Sequence, residues 1–455
     1  MNERTRKPRV AVIGAGPCGI TAVKALADSD VPFVCFEKSD RVGGNWVFRN
    51  KNGQSSTYRS LHINSSRDRL QFADFPMPAD YPDYPRHDLM AKYFAAYSAE
   101  FGLARHIRFE TSVERAAPRP GGGFRLTLSS GETEDFDALI VANGHHWDPS
   151  FPEPAIPGAF NGLEMHSHAY VDPDEPAPLR GKRVLVVGMG NSAMDIASEL
   201  GHPGVAEQVF LSARRGAWVI PKYAFGKPID QNQLLPRFLP QAARRAIAEL
   251  WYRLAVGRTE DFGLPKPAHH IDQAHPTMSA DILTRLGSGD VIAKPALVRR
   301  DGDLVHFSDG SSEAVDVIIY ATGYRVTFPF FEPDFVTAKG NDLPLYLRTF
   351  ALDRDDLFFI GLAQPVGAIM PIAEAQAKLV AKLLAGRYAL PTVQERKQHT
   401  ERERQRMFAR YVPSLRHTMQ VDFDDYLADL AAETRAGERR ARHRGARGSA
   451  DARRA

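Results

Sequence analysis

The chain is short of cysteine, of long apolar runs and of net charge, and each shortage removes a class of protein. Two cysteines in 455 residues, Cys18 and Cys35, cannot build the disulfide framework of a small secreted scaffold; they suit a reducing cytoplasm. No run of about 18 or more apolar residues occurs, so no spanning helix is expected. Met1 to Pro8 is polar and basic, without the apolar stretch of a signal peptide. Charges nearly balance, with 58 Lys and Arg against 55 Asp and Glu, and much of the excess sits between Arg435 and Arg454. The body is therefore close to neutral, which argues against nucleic acid as the main partner. His269, His270 and His275 crowd one loop, but no thiols and no helical i, i+4 spacing accompany them, and no metal site is expected. What remains is a cytoplasmic globular protein long enough for two or three domains.

Glycine is placed where nucleotides bind. Arg9 to Ile13, continuously apolar from Val10 onward, reads as a buried parallel strand. It leads into Gly14-Ala15-Gly16-Pro17-Cys18-Gly19, then a helix, then a second strand, Phe33 to Phe36, ending in Glu37. Strand, glycine turn, helix, strand and acid in that order form a dinucleotide fingerprint. Gly14 permits the tight turn, Gly16 lets backbone approach a pyrophosphate, Gly19 lets helix and strand pack, and Glu37 would accept from a ribose diol. The helix N-terminus offers N–H groups to the diphosphate. Gly43-Gly44-Asn45-Trp46 follows, where Gly44 brings backbone near a ring or phosphate and Trp46 packs on it. In the loop from Tyr58 to Ser66, the amide of Asn64 can both donate and accept, and His62 stands two residues before it.

A second fingerprint opens at Lys182 to Val187, a strand feeding Gly188-Met189-Gly190-Asn191-Ser192-Ala193, with Ala193 in the third glycine position. The next strand, Gln208 to Ser212, ends in Ala213-Arg214-Arg215 rather than an acid. An acid there would repel a 2′-phosphate, whereas Arg214 and Arg215 would hold one, so this site is built for NADPH rather than NADH. Asp316 to Tyr320 is another buried strand, running into Ala321-Thr322-Gly323-Tyr324. The expected fold is α/β, with two Rossmann-like dinucleotide-binding domains. The first domain is interrupted by the second: residues 1–165, then 166–327, then a return at 328–432. Residues 433–455, rich in arginine, alanine and glycine, read as a disordered basic tail.

Between the two fingerprints lies Phe160-Asn161-Gly162-Leu163-Glu164-Met165-His166-Ser167-His168-Ala169-Tyr170, read in isolation as a loop. Its spacing of Phe160, Gly162, His166 and Tyr170, set between two such fingerprints, resembles the signature of the flavin-containing monooxygenases. The resemblance runs from about Val10 to about Pro391. It implies FAD on the first fingerprint and NADPH on the second, with Thr322 and Gly323 among the cofactor contacts. It implies hydride transfer to the flavin, addition of O2 to give a hydroperoxyflavin, and insertion of one oxygen into a soft nucleophile, an amine nitrogen or sulfide sulfur, of a small molecule. Asn64 is then the residue set against flavin and nicotinamide, and His166 fixes the linker rather than moving protons. A homodimer is compatible with this reading. Tyr170, where related Baeyer–Villiger enzymes usually carry Trp, favours N- and S-oxygenation. Oxygenation of a ketone, or a flavin oxidase making peroxide from NADPH, are the alternatives. Ala142-Asn143-Gly144, where Ala-Thr-Gly is common, and Leu61-His62-Ile63-Asn64, where Thr usually precedes the Asn, depart from the family pattern, which bears on the substrate pocket more than on the cofactors.

Overall fold

The computed structural model describes residues 7–232, 239–412 and 418–451. The first run of the chain gives β1 (Val10–Ile13), α1 (Pro17–Ala27), β2 (Phe33–Phe36), α2 (His87–Glu100), β3 (Ile107–Arg108) and β4 (Ala138–Val141). A second run gives β5 (Leu163–His166), β6 (Arg183–Val187), α3 (Asn191–Leu200), β7 (Gln208–Ser212), α4 (Gln241–Ala255), β8 (Val291–Lys294) and β9 (Val317–Tyr320). The return gives β10 (Leu345–Tyr346), β11 (Phe350–Ala351), β12 (Leu357–Phe359), α5 (Met370–Leu384), α6 (Val393–Arg410) and α7 (Phe423–Asp451).

These elements form two doubly wound units. One sheet has the order β10-β11-β12-β4-β1-β2-β3, and the other β8-β7-β6-β9-β5. In the first, β1 pairs in parallel with β2 and β4, and β12 adds to β4 from the far end of the chain. In the second, β6 pairs in parallel with β7 and β9. β1, β4 and β9 are buried along their whole length, as expected of strands covered on both faces. The strand order reverses at β1 and β6, so a crevice opens at their carboxyl ends, where such sheets take ligands. The glycine turns Gly14–Gly19 and Gly188–Ala193 stand there.

Two expectations need correction. The linker is not wholly a loop: Leu163 to His166 pairs in parallel with Val317 to Tyr320 at the edge of the second sheet. A domain boundary after residue 165 would cut that strand; before Leu163 it stays whole. The tail is not disordered from 433: α7 is helical to Asp451, and only 452–455 of that segment lie outside the described residues. Tyr388 Oη donates to Glu433 Oε1 at 2.7 Å, and Lys382 Nζ to Glu438 Oε1 at 2.6 Å. A Cβ on Gly437 would fall 1.9 Å from the Tyr388 ring, so the helix backbone lies directly on that ring. Arginine-rich composition concealed a helix face that has partners.

Candidate active site: two glycine turns and the loop between them

The first turn is braced by its own backbone. Gly14 has φ +97°, and a Cβ there would come 2.7 Å from Ala142 O; a Cβ on Gly19 would come 1.8 Å from Gly14 O. Gly16 caps α1 with no side-chain hydrogen bond, and Pro17, which has no N–H, opens the helix, leaving the helix end free for an anion. Gly44, at φ +54°, lies against Gly16, where an added Cβ would be 2.9 Å from its Cα. Trp46 packs, half-buried, on the edge of the first core. Glu37 is only 4% exposed. Its Oε2 accepts from Ala15 N at 2.6 Å and its Oε1 from Ser39 N at 2.7 Å. Burial pushes its carboxyl up while those backbone donors pull it down. Glu37 therefore ties the turn to the strand end, a task not read from the sequence.

The second turn follows the same plan with different bracing. A Cβ on Gly188 (φ +143°) would come 2.5 Å from Ala321 O. Gly190 caps α3 with no side-chain hydrogen bond, and Ala193, in the third glycine position, is fully buried. Asn191 Oδ1 accepts from Met278 N at 2.9 Å, and Thr277 Oγ1 donates to Met189 O at 2.6 Å, so Asn191 fixes the turn to a neighbouring strand. Ser192 is half-buried beside it. Arg214 and Arg215 follow β7, exposed, with no hydrogen-bond or ion-pair partner among the described residues. Thr322 donates to Ser150 O, and Gly323 (φ +91°) faces open space, with nothing within 4 Å of an added Cβ.

The linker residues make contacts within the second unit and with the residues around it. Phe160 bridges to Gly302, and a Cβ on Gly162 would come 2.3 Å from Asp316 O. His166 is 4% exposed. Its Nδ1 accepts from His168 N at 3.0 Å, and its ring packs against Tyr324 at 5.4 Å. Burial lowers its pKa to about 4, so it is neutral at pH 7. Tyr170 Oη donates to Glu199 Oε2 at 2.9 Å. Asn64 sits on the loop between the two turns, and its Oδ1 is buried without a hydrogen-bond partner. His62 is exposed, with Nδ1 2.7 Å from Ser60 O.

Three groups near Asn64 escaped the sequence reading: Asp195 and Glu199 of α3, and Lys222. Tyr58 Oη donates to Asp195 Oδ2 at 2.5 Å, and Lys222 Nζ to Ile63 O at 3.1 Å. For Asp195 and Glu199 the available signal was two acids spaced i, i+4 on one helix. Two surface hollows of about 440 and 410 Å³ lie elsewhere, one beside Phe328 and Phe330, the other around Lys7 and Asp355. No glycine of either turn lines them. Among the described residues no helix is long and apolar enough to cross a membrane, and no cluster of three metal-ligating side chains occurs.

Comparison with known proteins decides the family. The profile of the flavin-binding monooxygenase-like family matches residues 7–438. The chain belongs to that family. Flavin-containing monooxygenase 5 of Rattus norvegicus is 37% identical over 445 residues, covering 93% of this chain and 82% of the relative. Dimethylaniline monooxygenase [N-oxide-forming] 2 of Pan troglodytes is 34% identical over 450 residues, with the same coverage. The solved S-allyl-L-cysteine S-oxygenase of Allium sativum superposes with a TM-score of 0.70 at 26% identity, covering 94% of this chain and 88% of that one. The family's enzymes use FAD and NADPH, and this chain is a monooxygenase dependent on both. Its residues fit such groups: two glycine cradles that side chains would fill, two helix ends without side-chain caps, and a buried amide oxygen lacking a partner.

Proposed function

We propose that this enzyme transfers one atom of O2 to a soft nucleophile, an amine nitrogen or a sulfide sulfur, of a small molecule. When bound, the flavin supplies the oxygen activation, drawing its electrons from NADPH. The chain's residues bind, orient and exclude. On this reading Gly14, Gly16, Gly19 and Gly44, with the N-terminus of α1, hold the FAD diphosphate, while Glu37 fixes the turn and keeps lone pairs for a ribose. Trp46 and His62 flank that site. Gly188, Gly190 and Ser192 hold the NADPH diphosphate at α3, Arg214 and Arg215 take the 2′-phosphate, and Thr322 and Gly323 line the open side. Phe160, Gly162, His166 and Tyr170 set the linker between the two units. Asn64 presents its amide to the reacting rings, and no side-chain nucleophile is required.

The observation that carries this reading is the unpartnered, buried Oδ1 of Asn64, on the loop that lies in the chain between two helices whose N-termini have no side-chain cap. A buried acceptor without a donor is costly, and a ring N–H or carboxamide N–H of a bound cofactor would satisfy it. An N-oxide-forming relative and an S-oxygenase neighbour support the choice of nucleophile. The test is stoichiometric. With a tertiary amine or a thioether, NADPH oxidation should match oxygenated product one for one, with little peroxide. Peroxide equal to NADPH whatever is added would identify an oxidase instead, and turnover only with ketones would identify a Baeyer–Villiger enzyme.

A further inference from the structure

The loop carrying Asn64 belongs to the first run of the chain, yet side chains of the inserted unit hold it. Tyr58 Oη donates to Asp195 Oδ2 at 2.5 Å, and Ser60 Oγ to Glu199 Oε2 at 2.9 Å. Lys222 Nζ donates to Ile63 O at 3.1 Å, and Ser66 N to Asp230 Oδ2 at 2.6 Å. These anchors flank Asn64 on both sides. Within the loop's own unit the bonds are mostly to backbone: His62 bridges Arg86, Ile63 N donates to Pro85 O, His87 N to Leu61 O and Arg67 N to Asp83 O, and His87 Nε2 lies 3.1 Å from Arg59 O. Asp195 and Glu199 stand one turn apart on α3, the helix whose N-terminus opens the second glycine turn. Tyr58 is 3% exposed. Its ring packs edge-on against Tyr170 at 6.3 Å, and the Tyr170 hydroxyl shares Glu199. Hydroxyl-to-carboxylate bonds shielded from water in this way are short, directional and costly to break.

We propose that Asp195 and Glu199 are positioning residues for Asn64, registering its loop against the helix that receives NADPH. The inference rests on the placement of Asn64 proposed above. A dinucleotide seated on the N-terminus of α3 fixes that helix. Through Tyr58 and Ser60 the helix then fixes the loop, and Asn64 stays within the narrow tolerance that orientation demands. With the latch cut, Asn64 wanders, and reducing equivalents escape as NADPH, H+ and O2 give NADP+ and H2O2.

The experiment uses the full-length, FAD-loaded protein and the variants Asp195→Asn, Tyr58→Phe, their double, Glu199→Gln and Asn64→Ala. Two quantities are read: H2O2 formed per NADPH oxidised with a tertiary amine present, and, without turnover, the visible circular dichroism of bound flavin titrated with NADP+. Asn64→Ala tests the reading beneath. If it moves neither quantity, that reading fails and the latch falls with it. If it moves both, Asp195→Asn and Tyr58→Phe should each raise the peroxide share about fivefold, the weight of roughly one buried hydrogen bond. They should also reproduce the dichroism change, with the double no worse than the singles. Latch variants with wild-type peroxide share and dichroism, beside an altered Asn64→Ala, would overturn the proposal. Should Asp195→Asn fail to fold or load FAD, Ser60→Ala carries the same test, with the thermal midpoint reporting separately on folding.

Discussion

In the first glycine turn, the acid that ends the second strand is buried and bonded to its own backbone, with Gly44 pressed onto Gly16. In the second, the corresponding strand ends in two exposed arginines, and a side-chain amide rather than a carboxylate ties the turn to its neighbour. The same strand–turn–helix plan thus yields a closed seat and an open one. A seat built from packed backbone suits a group that stays bound. Unpaired cations at an open edge suit a charged ligand that comes and goes, because its phosphate can find them without first breaking other bonds. On our reading the first holds FAD and the second exchanges NADPH.

The contrast breaks most sharply at the third glycine position. Gly19→Ala drives a methyl into Gly14 O and should destabilise by about 3 kcal/mol or more, giving protein that purifies without yellow colour and unfolds early. The mirror change, Ala193→Gly, should cost only about 1–2 kcal/mol by thermal unfolding. Between the turns, His166 should show itself in acid. Its folded pKa of about 4 lies below the ordinary 6.5, so the unfolded chain binds the extra proton in that window. Its stabilising effect is full above pH 6.5 and is lost as pH falls towards 4. Full protonation should remove about 2–3 kcal/mol, and His166→Asn should flatten the acid limb of a denaturation series. At the open seat, Arg214→Ala with Arg215→Ala should raise the NADPH KM about 10- to 100-fold with little effect on NADH, as expected for lost charge-assisted bonds. Glu37→Gln belongs, like Ala193→Gly, among the smaller effects. Its amide keeps one acceptor and turns a donor towards the other backbone N–H, which should cost about 1–2 kcal/mol and loosen FAD in a dialysis assay.

Both strand–glycine turn–helix units were legible in the sequence because glycine spacing and apolar strand runs are local signals, set within one βαβ unit. What escaped depends on contacts distant along the chain. Leu163 to His166 is a mixed, partly exposed tetrapeptide, and only its pairing with Val317 to Tyr320 makes it a strand. The α7 helix has charge enough to look unstructured, and its order shows only once Tyr388 and Lys382 are set against it. Asp195 drew no notice in the sequence because its partner, Tyr58, lies 137 residues away. Glu37 was legible as an acid in the right place but not as the brace of its own turn, since that depends on where the N–H groups of Ala15 and Ser39 point.

The most direct test of the account is rapid mixing. The FAD-loaded protein is reduced with NADPH under nitrogen, mixed with oxygenated buffer, and followed across the visible and near-ultraviolet. The account predicts a persistent absorbing species, distinct from oxidised and from reduced flavin, that decays quickly when a tertiary amine or sulfide is added and leaves one equivalent of oxygenated product. Immediate return of the oxidised spectrum with stoichiometric peroxide, unchanged by either nucleophile, would contradict it.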